Sequence, residues 1–101
     1  MLHISPSVRQ KLKVKHGVTQ PEIEQCFANR EGKFLLDQRE KHQSDPPTKW
    51  FIAQTDYGRS LKVAFIQATN GTITIRSAFE PNPDEIYIYE KYGQIGRTPS
   101  P

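Results

Sequence analysis

Three segments in the second half of the chain alternate apolar and polar residues with a period of two, which is typical of half-buried β-strands. They are residues 49–55, 59–68 and 72–79, joined by the turns Asp56-Tyr57-Gly58 and Asn70-Gly71. Asn-Gly between alternating apolar residues is a strong hairpin signal, because both central positions of such a turn need a positive φ. We therefore predict an antiparallel meander of these three strands, preceded by a short strand at 33–36.

Helical spacing of apolar residues, with start and stop signals, predicts two helices before the strands and one after them. The first helix ends at Gly17, since glycine readily adopts the left-handed conformation. The second begins at a capping box formed by Thr19 and Glu22. The third covers residues 84–92 and follows Asn82, a favourable N-cap residue.

This element order predicts an α+β fold with two N-terminal helices, a four-stranded, mainly antiparallel sheet and a C-terminal helix. We expect one face of the sheet to be fully apolar and to carry the helices, and the other to be mixed and half open. The 101-residue chain has the length of a single domain, which we assign to 1–93. Residues 94–101 have almost no apolar content and are expected to form a mobile tail.

Composition narrows the functional classes only slightly. The formal net charge of +3 permits contact with nucleic acid without requiring it. The single cysteine, Cys26, excludes an internal disulfide framework and fits a reducing compartment. The N-terminus does not have the pattern of a signal peptide, and no apolar stretch approaches the length of a membrane span. We expect a cytoplasmic protein with no membrane partner.

Basic side chains on the predicted sheet are the first candidates for chemistry. Arg76 lies in the middle of a strand, where a guanidinium could clamp a phosphate through two parallel hydrogen bonds. The ordinary alternative for Arg76 is a cross-strand ion pair. Lys62 and Arg59 are candidates for the same surface, and the alternative for both is a solvated strand position.

A charged loop is predicted at 37–48, between the strand at 33–36 and the three-stranded meander. It contains a second basic group, Arg39 and His42, together with Glu40, and Lys49 follows it directly. His42 can exchange a proton near neutral pH, although a lone histidine in a loop is usually only solvated. The loop has no second histidine and no fixed geometry, so we expect neither a metal site nor a cofactor. Tyr57 lies on a turn, where it is available to stack on a base.

Taken together, several segments give the chain a resemblance to a known family. They are residues 15–19, 50–53, 55–59, 61–65 and 73–78, with Glu22, Ile23, Phe27, Glu85 and Tyr89 in the helices. Over about residues 8 to 92, the chain resembles the BrnT family of toxins in the RelE/ParE superfamily. The Lys-His-Gly-Val step and the strand that ends in Arg-Ser-Ala are its most specific parts.

The resemblance implies a type II toxin–antitoxin toxin, a metal-independent endoribonuclease (mRNA interferase) that inhibits translation. In such enzymes the RNA 2′-hydroxyl attacks the adjacent phosphate, which requires a base, an acid and cations. Its implied partners are a small cognate antitoxin, which often also binds operator DNA, and RNA, including mRNA on the ribosome.

Carried onto this chain, the resemblance implies that Arg76 and Lys62 hold the phosphate. It implies that His42, or a carboxylate such as Glu40, carries the proton. Further contacts to RNA are assigned to four residues: Arg59, Arg39, Lys49 and Tyr57. Two alternatives stay open. One is a non-catalytic binding or regulatory module on the same fold. The other is a hydrolase of ADP-ribose glycosidic bonds, which the sequence favours least because it shows no acidic metal cluster.

Overall fold

The protein has an α+β fold, seen in a computed structural model that describes residues 2–38 and 44–93. The described part contains three helices and one five-stranded mixed sheet. In chain order the elements are β1 (Leu2–His3), α1 (Pro6–Lys11) with a π-helical continuation (Leu12–His16), α2 (Gln20–Asn29), β2 (Leu35–Leu36), β3 (Thr48–Gln54), β4 (Ser60–Gln67), β5 (Ile73–Phe79) and α3 (Pro83–Tyr92). The predicted tail 94–101 lies outside the described residues.

The sheet confirms the predicted meander and adds a strand to it. Its order is β1-β5-β4-β3-β2, and strands β2 to β5 pair with antiparallel neighbours. The prediction of four strands was incomplete, because Leu2 and His3 pair in parallel with Ile73 and Thr74. Two residues are too few to show a period of two, so this edge strand has no signature in the sequence.

Both hairpins between the long strands use the same turn. In the first, the Gly58 amide donates to the Thr55 carbonyl at 3.0 Å, and the Thr55 amide donates to the Arg59 carbonyl at 2.9 Å. Gly58 and Gly71 have φ values of 87° and 91°, while no residue other than glycine has a positive φ in the described part. The expected pair of positive φ angles at Asn70-Gly71 was therefore wrong. Each loop is a turn closed by a left-handed glycine.

Side-chain oxygens and one glycine set the helix ends where the sequence predicted them. Thr19 and Glu22 form a reciprocal capping box at the start of α2. Asn82 and Glu85 form a second one at the start of α3. Gly17 ends the π-helical segment with a φ of 61°. The two capping boxes satisfy amides that the first turn of a helix leaves unpaired.

The sheet carries helices on both faces. Phe27 of α2 packs on Phe51, with ring centroids 4.7 Å apart, whereas Tyr89 of α3 packs on Trp50 at 5.7 Å. Adjacent residues of a strand point to opposite faces, so α2 and α3 lie on opposite sides of β3. The expectation that one face carries all the helices was therefore wrong. The indole of Trp50 is a large apolar surface, and α3 removes it from water.

Candidate functional site

A groove of about 760 Å³ lies between α3 and the strands β2 and β3, on the face opposite α2. Its lining includes Asp37, Trp50, Lys62, Glu85, Ile88 and Tyr92. The strand register explains the meeting of Trp50 and Lys62. Lys62 is paired with Ile52, two residues along β3 from Trp50, so the two side chains share a face and are diagonal neighbours.

Lys62 forms the cationic centre of this groove. Its Nζ lies 2.7 Å from Oε2 of Glu85. The same Nζ lies 4.7 Å from the ring centroid of Trp50 and 5.6 Å from that of Phe79. Only 8% of Lys62 is exposed, so a solvated strand position does not describe it. A carboxylate and two aromatic faces hold the ammonium in one place.

Glu85 supplies the carboxylate of the site, and the sequence reasoning did not single it out as a site residue. Its Oε1 accepts a hydrogen bond from the Asn82 amide at 2.9 Å, and its own amide donates to Asn82 Oδ1 at 2.8 Å. The helix start therefore fixes Glu85, while Oε2 reaches Lys62. The available signal was the Asn-x-x-Glu spacing of a capping box.

Arg59 belongs to a separate cluster at the end of β5. Its Nε lies 3.1 Å from Glu80 and its Nη1 lies 3.1 Å from Glu22. The guanidinium also donates to the carbonyls of Gly17 and His16, each at 3.0 Å. Burial opposes the charge, but the hydrogen bonds to Glu22 and Glu80 raise the pKa of Arg59. Arg59 thus ties the end of the π-helical segment to α2 and β5, and its predicted contact with RNA stays a prediction.

Glu22 and His16, two members of this cluster, have lowered pKa values. Burial would raise the pKa of Glu22, but hydrogen bonds from Thr19 and Arg59 lower it overall. Burial lowers the pKa of His16, and the charges of Lys15 and Lys11 add to this effect. The folded protein therefore favours an ionised Glu22 and a neutral His16.

Arg76 occupies a β-bulge. Ala64 of β4 pairs with Ser77 and Phe65 pairs with Ile75, so Arg76 is the extra residue between two paired positions. Its side chain is exposed. A bulge changes the direction of a side chain and interrupts strand pairing, and bulges are frequent beside functional sites.

The other predicted residues are spread over the molecule. Tyr57 lies at the tip of the β3–β4 hairpin and is 94% exposed. Lys49 is half-buried on β3, next to Trp50 in sequence and therefore on the other face of the sheet. Arg39, Glu40 and His42 lie outside the described residues. The structure thus brings Lys62 together with Glu85, and Arg76 lies on β5, the strand next to that of Lys62. Arg59 contacts a different set of residues, Lys49 lies on the opposite face of the sheet from Lys62, and Tyr57 lies at a hairpin tip.

Two features are absent from the described residues, 2–38 and 44–93. Within these ranges no three histidine, cysteine, aspartate or glutamate side chains are grouped to hold a metal ion. None of the described helices is long and apolar enough to cross a membrane.

No protein-family model matches this chain, and no curated protein matches it. The resemblance to BrnT toxins therefore rests on the sequence motifs alone.

Proposed function

We propose that this protein is a BrnT-like toxin with a RelE/ParE-like fold, a metal-independent endoribonuclease whose substrate binds in the groove beside α3. A cognate antitoxin protein neutralises it, and its action on mRNA takes place in the cytoplasm. The observation that carries the proposal is the pair formed by Lys62 and Glu85, 2.7 Å apart, in the wall of that groove. Attack by the RNA 2′-hydroxyl requires a base and a cation besides the acid, and this pair offers one of each in a fixed position.

The chemistry assigns one task to each group. The carboxylate of Glu85 accepts the proton of the 2′-hydroxyl, whose oxygen then attacks the adjacent phosphorus. Lys62 stabilises the negative charge that grows on the phosphate oxygens. The bond from phosphorus to the 5′ oxygen breaks, leaving a 2′,3′-cyclic phosphate and a 5′-hydroxyl. In this proposal His42 gives the departing oxygen its proton.

Arg76 binds a phosphate of the same RNA strand outside the reacting centre. Its exposed side chain on the β5 bulge is open to a bidentate contact with phosphate oxygens. Tyr92 supports the choice of RNA, because it lines the groove and is 56% exposed. An exposed aromatic ring at a groove wall can stack on an unpaired base.

Induced expression in a bacterial host tests the proposal. We expect growth arrest and fragmented total RNA with the wild-type chain, and both effects should be clearly weaker with Arg76→Ala, which loses a phosphate contact of the bound RNA. Lys13→Ala removes another exposed cation, from the π-helical segment, and should stay toxic. Both variants should keep a thermal midpoint close to that of the wild type, because exposed side chains contribute little to stability. Normal growth and intact RNA with the wild-type chain would contradict the proposal.

A second function, a non-catalytic binding module on the same fold, is favoured by a different observation. Lys62 is 8% exposed and already paired with Glu85, and four protein acceptors surround the guanidinium of Arg59. Cations that are already satisfied are less available to a phosphate. This alternative predicts a stable complex with the product of a neighbouring gene, and no cleavage of RNA by the free chain.

A further inference from the structure

The outward side of α3 combines exposed apolar side chains with one charge at each end. Tyr87 is 63% exposed and Ile88 is 41% exposed, whereas Tyr89 faces the core and is 4% exposed. Asp84 and Lys91 are exposed as well. Two large apolar side chains on one short helix form a surface that water solvates poorly.

Helix geometry places these four residues on one face. Successive residues of an α-helix are rotated by about 100°. Positions 84, 88 and 91 therefore point in nearly the same direction, and position 87 lies beside them. Along the helix axis the order is an acid, two apolar side chains and a base. Glu90 points away from this face by the same geometry.

We propose that this face of α3 binds a second copy of the same chain, with the two α3 helices antiparallel about a two-fold axis near Tyr87 and Ile88. A two-fold interface uses the same patch on both partners. Antiparallel packing brings Asp84 opposite the partner's Lys91, and Lys91 opposite the partner's Asp84. The apolar pairs then lie at the centre and the ion pairs at the rim.

Charge complementarity selects the occupant and the orientation. A parallel arrangement would bring the two Asp84 side chains together and the two Lys91 side chains together, which is repulsive. Lys91 is already oriented over this surface, since its Nζ lies 6.0 Å from the Tyr87 ring and 5.3 Å from the Tyr92 ring. The inference does not need the proposed nuclease activity, but Ile88 also lines the groove assigned to RNA, so a dimer of this form and a bound RNA would compete for this side chain.

The size of the surface predicts a weak dimer. A helix of ten residues is about 15 Å long. A pair of such helices buries less area than a stable interface of standard size. We therefore expect the mass of the full chain in solution to rise with concentration from one copy, 11.6 kDa, toward two copies.

Charge reversal tests the arrangement by sedimentation equilibrium on the full chain. Asp84→Lys and Lys91→Asp each bring like charges together and should weaken the dimer about tenfold or more. The double variant Asp84→Lys/Lys91→Asp exchanges the charges and should restore dimerisation. Asp84 also stabilises the N-terminal end of α3 through the helix dipole, and both Asp84→Lys and the double variant lose this contribution. Recovery of dimerisation in the double variant therefore reports on the pairing of residues 84 and 91 across the interface. Glu90→Lys, outside the face, should dimerise like the wild type.

Three results would overturn the proposal. The first is a mass of one copy at every concentration of the wild-type chain. The second is a dimer that Asp84→Lys leaves unchanged. The third is a double variant that remains monomeric while its circular dichroism spectrum shows an intact fold, which would mean that Asp84 and Lys91 do not meet across the interface.

Discussion

Lys62 and Glu85 join the centre of the sheet to α3: the Nζ of Lys62 lies 2.7 Å from Oε2 of Glu85. The side chains of the two residues are only 10% and 19% exposed. A charge so poorly hydrated depends on its partner, and the loss of one partner leaves the other charge uncompensated. This contact both defines the groove and holds α3 in place.

Removing one charge of this pair should destabilise the protein. Lys62→Met keeps an apolar side chain of similar length but removes the charge, and it should lower the free energy of unfolding by about 1–3 kcal/mol. Lys62→Met/Glu85→Gln removes both charges and should cost less than the sum of the two single variants. Urea unfolding measures all three. Strictly additive effects would mean that the two residues do not stabilise each other.

Arg59 should contribute more to stability than an exposed surface arginine does. Arg59→Lys keeps the charge but loses the fork that reaches Glu22, Glu80 and two backbone carbonyls. We expect a loss of about 1–2 kcal/mol in urea unfolding. The matched change at an exposed arginine, Arg76→Lys, should stay within about 0.5 kcal/mol of the wild type. Equal effects of the two changes would show that the Arg59 contacts add no stability.

Acid should destabilise the protein partly through Glu22. Its pKa in the folded state is lowered from the ordinary value of 4.5, so the folded state favours the carboxylate more than the unfolded state does. This contribution is present above pH 4.5 and is lost as the pH falls through the lowered pKa. Between about pH 6 and pH 3, the thermal midpoint of Glu22→Gln should therefore fall less than that of the wild type. Parallel curves would contradict this role.

Cys26 should behave as an unreactive thiol in the native protein. It is 0% exposed, and burial raises its pKa to about 11. Since the thiolate is the reactive form, a disulfide reagent at pH 8 should modify Cys26 only as fast as the protein opens. The rate should rise with added urea. Complete reaction within the mixing time, without denaturant, would show that Cys26 is accessible.

Local signals in the sequence were sufficient for most elements. The three long strands and α3 begin and end within one residue of the predicted bounds. Thr19, Glu22, Gly17 and Asn82 mark helix ends as predicted. These signals act between residues close in sequence, so a pattern of residues contains them. The packing of α3 on the second face of the sheet was missed, because the side of a sheet that a helix covers depends on distant side chains such as Trp50.

The site depends on contacts between distant residues, and the sequence could name its basic residues but not their partners. Lys62 and Glu85 are 23 residues apart. The acceptors around Arg59 lie between 21 and 43 residues from it. Alternation marks Lys62 only as a polar position on the less apolar face. The aromatic rings and the carboxylate that enclose it appear only once the chain is folded.

The most direct test of the nuclease proposal is cleavage of a 5′-labelled single-stranded RNA by the purified chain in excess chelator. The proposal predicts fragments that end in a 2′,3′-cyclic phosphate from the wild-type protein. Glu85→Gln, which removes the proposed base, should lower the rate by about 100-fold or more. Glu90→Gln, an exposed carboxylate on the same helix, should cleave like the wild type. Intact RNA with folded wild-type protein, or equal rates for Glu85→Gln and Glu90→Gln, would contradict the assignment of the groove as a nuclease site.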